Sequence, residues 1–171
     1  MKTLFLTLTL GIMSCSLMTA QENDTALKHE IKIDGIKLIA GSIFETTYEY
    51  IKNNNSGFGV SLLVNFDKNN DYLEDFSITP FYRIYFFNKQ DYGAKGFFVE
   101  GFGKYVSGDE KIFSDQTEDY NDFSLGMSLG KKWVNTNGFV FELLAGLGRT
   151  LGGDVGHDVY FRGGLFVGYR F

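Results

Sequence analysis

The chain has very little proline, cysteine or histidine, and each shortage excludes a class of structure or chemistry. Its 171 residues include one proline, one cysteine and two histidines. Cys15 lies in the N-terminal segment, so a chain that has lost this segment forms no disulfide and depends on packing and hydrogen bonds. One proline among 21 glycines, 18 phenylalanines and 10 tyrosines is typical of many strands joined by tight turns.

Long apolar runs and a basic surface are also missing. The net charge is −5 and the charged residues are scattered, which argues against a nucleic-acid partner. Beyond the N-terminal segment, the longest stretch without a charge is 53–66, and it contains several Asn and Gly residues. A membrane-spanning helix needs about 20 mostly apolar residues, so we predict none here.

The N-terminus has the three-part layout of a secretory signal peptide. Lys2 supplies a positive charge, 4–13 is apolar, and small residues lead to Ala20 before a hydrophilic stretch. The apolar run is too short to cross ~30 Å of hydrocarbon as a helix, which argues against an uncleaved anchor. An alternative reading makes Cys15 a lipid-modified N-terminus. The predicted organisation is a signal peptide over 1–20, a short segment over 21–29 and one barrel domain over 30–171.

Apolar residues recur at every second position, which is the period of a β-strand. In 159–171 the odd positions are mostly large and apolar, whereas the even ones include Gly168, Arg162 and Arg170. Segments that share this pattern are predicted to be strands: 30–39, 43–52, 57–66, 75–87, 96–106, 122–134, 138–150 and 158–171. Gly35 interrupts the alternation and predicts a β-bulge.

The connections between these segments favour an all-β, eight-stranded antiparallel up-and-down barrel. Short Asn-rich turns are expected at 53–56 and 135–137, and longer polar loops at 67–74, 107–121 and 152–158. Alternating short and long connections are typical of transmembrane barrels, whose short turns face the periplasm. The connection 88–95 is an exception, because it is on the short-turn side but is not short.

A soluble lipocalin-like barrel and a membrane barrel differ in which face points inward. The membrane alternative places charged residues of both signs in the lumen, where they can pair. The predicted inner positions are Lys32, Asp34, Glu45, Glu49, Arg83, Glu100, Lys104, Lys132, Glu142, Arg162 and Arg170. On the outer face, Tyr48, Tyr82, Trp133 and Tyr169 lie near strand ends, as an aromatic girdle requires. We therefore predict a transmembrane barrel and keep the soluble carrier as an alternative.

The last strand resembles the ending of bacterial outer-membrane proteins. Its pattern consists of Leu165, Val167, Tyr169 and the terminal Phe171. This resemblance implies recognition by the barrel-assembly machinery. The segments 31–38 and 44–50 also look like those of small, uncharacterised Bacteroidetes-type outer-membrane barrels, which implies a place in the bacterial outer membrane but no activity.

Some eight-stranded outer-membrane barrels modify lipid, so catalytic residues have to be considered. His157 lies in a predicted outer loop, but Val159 stands where a His-x-Ser arrangement would need its serine. Carboxylates crowd 109–122, yet their spacing does not match an EF-hand. We predict no catalytic residue, cofactor or metal, and keep a lipid-modifying enzyme with His157 as base as an alternative.

The sequence thus predicts a monomeric, non-enzymatic barrel that acts through its surface loops in envelope integrity or surface contact. Its expected partners are outer-membrane lipids and lipopolysaccharide, with the assembly machinery during biogenesis. The charged residues of the predicted lumen network are Lys32, Glu45, Glu49, Arg83, Glu100, Lys104, Glu142, Arg162 and Arg170.

Overall fold

The chain forms a closed barrel of eight antiparallel strands that follow one another in chain order. The computed structural model describes residues 27–67, 72, 74–86, 93–112, 116–151 and 158–171. The strands are β1 (His29–Asp34), β2 (Ile43–Asn53), β3 (Ser56–Asn65), β4 (Phe76–Phe86), β5 (Gly96–Ile112), β6 (Gln116–Val134), β7 (Phe139–Thr150) and β8 (Val159–Arg170). The predicted fold class is confirmed, whereas the predicted signal peptide lies outside the described residues.

The first and last strands close the barrel. β1 pairs with β8 in a register that sets Ile31 opposite Tyr169. His29 and Phe171 exchange two backbone hydrogen bonds, with N···O distances of 3.0 and 2.8 Å. The end of the barrel that holds these two residues, together with the β2–β3, β4–β5 and β6–β7 connections, is called the lower end below; the opposite end is the upper end.

The two faces of the barrel wall have opposite polarity. Along β4 buried and exposed residues alternate without interruption. On β6 the inward Lys132 is 1 % exposed, whereas the outward Leu129 is 66 % exposed. Charged and polar side chains together with some aromatic ones therefore fill the interior, and large apolar side chains cover the exterior, which is unlike a soluble barrel.

The predicted strand over 30–39 is wrong beyond residue 34. A helix, α1 (Gly35–Gly41), begins there, and Gly35 is its first residue rather than a bulge. The Asp34 side chain caps the helix, since its Oδ1 accepts hydrogen bonds from the backbone N–H groups of Ile36 (3.0 Å) and Lys37 (3.2 Å). Ser42 ends it in a left-handed conformation, with φ 54°. Among the described residues no helix is long and apolar enough to cross a membrane.

The predicted loop 107–121 is also wrong, because most of it is strand. β5 and β6 stay paired beyond the barrel wall, up to Ile112 opposite Gln116. The wall itself ends earlier, since the pairing of β4 with β5 stops at Ser107 and that of β7 with β6 stops at Ser124. The sequence of this hairpin is mostly polar and lacks the apolar alternation of the other strands, although Tyr120 near its base packs with Val106 and Tyr160.

Candidate functional site: the charged lumen

The charged residues predicted to form a lumen network all project into the barrel. Six strands supply them: Lys32 on β1, Glu45 and Glu49 on β2, Arg83 on β4, Glu100 and Lys104 on β5, Glu142 on β7, and Arg162 and Arg170 on β8. Each is at most 4 % exposed. A strand directs alternate side chains to one face, so closing the sheet brings residues distant in sequence into one narrow space.

Glu49 is the centre of the network. Its Oε2 lies 2.7 Å from Lys32 Nζ, 2.8 Å from Lys132 Nζ and 2.7 Å from Arg83 Nη1. The Tyr85 hydroxyl donates a hydrogen bond to the other oxygen, Oε1. A fully buried carboxylate thus has three cationic partners and one neutral donor, which offset the loss of its hydration.

Glu142 shares these cations and balances their charge. Its Oε2 lies 2.6 Å from Lys32 Nζ and 2.9 Å from Arg83 Nη1. Arg83 also donates from Nε to Glu100, at 2.7 Å. Each cation therefore contacts at least two carboxylates, and removal of one charge leaves others without a full set of partners.

The lower end of the lumen is closed by Arg170. Its Nε donates to Glu30 Oε1 at 2.6 Å, and Glu30 in turn lies 2.7 Å from Lys132 Nζ. The same guanidinium donates to the carbonyl oxygens of Gly93 (2.7 Å) and Ala94 (2.9 Å). Arg170 thus holds the connection before β5 against the lower opening.

Arg162 carries the network towards the upper end. Its Nε donates to Glu100 Oε1 at 2.6 Å and its Nη2 to Ser61 Oγ at 3.1 Å. Its Nη1 lies 3.5 Å from Glu45 Oε1. Because Glu100 also accepts from Arg83, ionic contacts run without a break from Glu30 at the lower end to Glu45 near the upper one.

The helix α1 places a further cation over the upper opening. Lys37 pairs with Glu45, donates to the Gly163 carbonyl oxygen at 2.8 Å and lies 3.3 Å from Asp34 Oδ2. Burial alone would lower the pKa of Lys37, but the carboxylates of Glu45 and Asp34 raise it above its usual value. Lys37 therefore stays charged and ties the helix to the barrel mouth.

A second buried ion pair lies towards the upper end of the lumen. Lys104 pairs with Glu74, whose backbone precedes β4. The Lys104 ammonium is 5.8 Å from the ring centroid of Tyr160, and the Tyr160 hydroxyl donates to Asp122 Oδ2 at 2.7 Å. The upper opening is thus covered by two lysines, Lys37 with Glu45 and Asp34, and Lys104 with Glu74.

Aromatic side chains also fill part of the lumen. The Arg83 guanidinium lies 4.3 Å from the Phe81 ring centroid and 4.4 Å from that of Phe98. Phe98 occupies the space that a side chain at Gly130 would need, since a Cβ there would approach the ring to 2.3 Å. The inward glycines therefore make room for aromatic rings as well as for the charged side chains that the sequence suggested.

Several members of the network were not identified from the sequence. Glu30 and Tyr85 share the inward alternation of Lys32 and Arg83, so that signal was present. Lys37 was assigned to a strand, and Glu74 to a loop. The roles of Lys37 and Glu74 depend on how α1 and the segment before β4 fold over the upper opening. The alternation of apolar and polar residues along a strand gives no information about that.

The described residues offer little for catalysis. His29 lies at the lower end, outside the lumen, with Nδ1 2.7 Å from the Tyr48 hydroxyl and its ring 5.8 Å from that of Phe171. His157 lies outside the described residues. No group of three His, Cys, Asp or Glu side chains in the described part of the chain is placed to hold a metal ion.

Comparison with solved structures gives a clear likeness. The N-terminal β-barrel domain of Pseudomonas aeruginosa OprF superposes with a TM-score of 0.58 at 16 % sequence identity, covering 85 % of this chain and 98 % of that domain. The fold is that of an outer-membrane β-barrel domain. No family model matches the sequence, and no curated protein matches it.

Only part of the predicted aromatic girdle lies near strand ends: Trp133 and Tyr169 do, whereas Tyr48 and Tyr82 lie midway along β2 and β4. All of the predicted girdle residues, Tyr48, Tyr82, Trp133 and Tyr169, are exposed. At the lower end Trp133 packs on Phe141 at 5.5 Å and Phe139 on Tyr169 at 5.7 Å between ring centroids. Of the predicted assembly signal, Val167, Tyr169 and Phe171 are exposed and Leu165 is half-buried. Recognition by the assembly machinery stays a prediction.

Proposed function

We propose that this protein is a non-enzymatic β-barrel of a bacterial outer membrane, with a lumen closed by ion pairs and with a surface hairpin that acts outside the cell. One observation carries the proposal: Glu49 and Arg83 are wholly buried inside the barrel, whereas Leu129 and Phe161 are at least 60 % exposed outside. Exposing such an apolar exterior to water is unfavourable, whereas contact with the hydrocarbon of a bilayer is favourable.

The outer membrane is the location supported by the barrel fold. A closed barrel satisfies every strand hydrogen bond internally and leaves no edge, which a bilayer requires. The expected partners are outer-membrane lipids and lipopolysaccharide, and the expected state is a monomer. The relation of 31–38 and 44–50 to small Bacteroidetes-type barrels remains a prediction.

Fractionation of cells tests the location. We expect the protein in the outer-membrane fraction, with an electrophoretic mobility that shifts when the sample is boiled, because a closed barrel resists detergent until it is heated. Glu49→Gln is an informative companion variant, since a weakened network should lower the temperature of the shift. Recovery of the wild type in the soluble periplasmic fraction would contradict the proposal.

The ionic network argues against a general pore. Eight strands enclose about the space that their own inward side chains fill, and here ion pairs cross that space from Glu30 to Glu45. We therefore expect no stable open-channel current from the purified barrel in a planar bilayer at neutral pH. A large, steady ohmic conductance from the wild type would show that the lumen is open.

We infer that the β5–β6 hairpin contacts other molecules at the upper end. Its strands stay paired from Ser107 to Ile112, about 15 Å beyond the barrel wall at ~3.3 Å per residue. Shortening the hairpin by removing 109–119 should leave the heat-dependent shift intact but reproduce the detergent sensitivity of cells that lack the whole protein. Normal detergent resistance in the shortened strain, with sensitivity in the complete deletion, would exclude the hairpin as the acting region.

A further inference from the structure

One charged residue interrupts the apolar outer row of β6. The outward positions of this strand are Phe123, Leu125, Met127, Leu129, Lys131 and Trp133. A lysine on the lipid side of a barrel is costly at the middle of the bilayer and nearly free of cost at the interface. The depth of Lys131 in the bilayer therefore decides whether this residue destabilises the barrel or can contact a lipid headgroup.

Lys131 lies at interface depth near the lower end. It is next to Trp133 in the outward row, and β6 ends at Val134. Its Nζ is 4.7 Å from the Phe97 ring centroid and 5.0 Å from that of Trp133. None of the ion pairs among the described residues includes Lys131. The ammonium is thus held in place by two rings, with no anion from the described part of the chain.

An apolar groove begins at this lysine. It has a volume of about 590 Å³, within the range of small-molecule sites. Apart from the lysine its lining is apolar, and the side chains that face outward along it are Phe86, Phe97, Val99, Leu129, Leu143 and Ala145. The groove crosses three strands, since Leu129 on β6 pairs with Val99 on β5 and with Ala145 on β7.

We propose that Lys131 and this groove bind one anionic diacyl phospholipid, with the headgroup phosphate on the Lys131 ammonium and an acyl chain along Val99 and Ala145. The inference rests on the proposed membrane location. The lower end, which holds both ends of the barrel, then faces the periplasm, and the leaflet on that side consists of phospholipid. A cation at headgroup depth directly beside an apolar groove matches the two parts of such a lipid.

Native mass spectrometry of the detergent-purified barrel tests the site. The protein is offered phosphatidylglycerol and phosphatidylcholine with identical acyl chains. We expect one phosphatidylglycerol to be retained in preference to phosphatidylcholine, and Lys131→Ala to weaken its binding about fivefold, the effect of roughly one interfacial cation. Lys131→Arg should restore binding, and Ala145→Phe should abolish it by filling the groove while leaving the lysine in place.

Arg149→Ala is the matched control. Arg149 is an exposed residue of the wall on β7, opposite Leu125 and towards the upper end, so its removal deletes an outward cation far from the groove. Binding by this variant should equal that of the wild type. Equal binding by Lys131→Ala, or equal retention of the two lipids by the wild type, would overturn the proposal.

The heat-dependent mobility shift separates this inference from the proposed function. If the wild type and all variants fractionate with the outer membrane and shift on boiling, a negative lipid result overturns the lipid site alone. If the wild type is soluble, the proposed function fails and the lipid site is overturned with it, since the groove would then face water.

Discussion

The inner and outer faces of β6 show how one strand serves two different environments. Inward, Ser124, Ser128 and Lys132 are at most 1 % exposed, whereas outward Met127 and Leu129 are both 66 % exposed. Inward, Lys132 is held by Glu30 and Glu49 on other strands, and the two serines are packed without a hydrogen bond to their hydroxyl oxygens among the described residues. The interior is therefore specified residue by residue, and the exterior only by its apolar character.

This contrast predicts different tolerance to substitution on the two faces. Around Glu49 each charge has several partners, so one replacement disturbs a whole cluster. Outside, replacing one apolar residue by another keeps an apolar contact with lipid and should change stability little. Introducing a charged residue there should destabilise the barrel. The substitutions below test that contrast, in order of decreasing effect.

Glu49→Gln should be the most damaging of these changes. It removes the negative charge that three cations share and leaves Lys32, Lys132 and Arg83 with less compensation. We expect a loss of about 3–5 kcal/mol in the free energy of unfolding, measured by urea titration of the barrel in vesicles. An outward control, Met127→Leu, should be close to neutral. A near-neutral Glu49→Gln would mean that the network does not stabilise the barrel.

Met127→Arg tests the outer face directly. Met127 lies opposite Gly101 and Leu147, midway along the wall, so an arginine there must enter the hydrocarbon. We expect a destabilisation of about 2–4 kcal/mol in the same titration. An arginine at Asn137, in the β6–β7 turn at the lower end, should cost little. Equal effects at the two positions would contradict a lipid-facing wall.

Lys37→Met should have the smallest effect, because this lysine lies at the rim and its main partner Glu45 keeps Arg162 as a second cation. We expect a loss of about 1–2 kcal/mol. The pKa of Lys37 is raised by folding, so its contribution is complete below the ordinary lysine value of 10.5 and is lost as the pH rises through the higher folded value.

Titrations at several pH values check this assignment. The stability difference between the wild type and Lys37→Met should stay constant from neutral pH to about 10 and shrink only above that. A difference that disappears at mildly acidic pH would point to a carboxylate instead.

The sequence was sufficient for the barrel wall because period-two alternation reports which face a residue occupies. It placed Arg83 and Leu129 on opposite sides without knowledge of any contact. Alternation does not say which inward residues meet, since that depends on the tilt and register of closed strands. The three cations around Glu49 come from β1, β4 and β6, and no local pattern connects them.

The two errors in secondary structure have separate physical causes. In 30–39, Ile36 and Leu38 imitate strand alternation, although Asp34 immediately before Gly35 is a helix-capping signal that could have been recognised. In 107–121, backbone pairing continues through residues whose sequence does not alternate between apolar and polar, so period two gives no signal there.

The central claim is that the aromatic exterior faces lipid, and Trp133 tests it most directly because it is the only tryptophan in the chain. Its fluorescence can be measured with the folded barrel in vesicles whose acyl chains carry bromine at defined depths. We expect strong quenching, greatest for bromines near the headgroups, and little quenching by aqueous acrylamide. Quenching by acrylamide with none by brominated lipid would show that this face meets water, and would contradict the proposed membrane barrel.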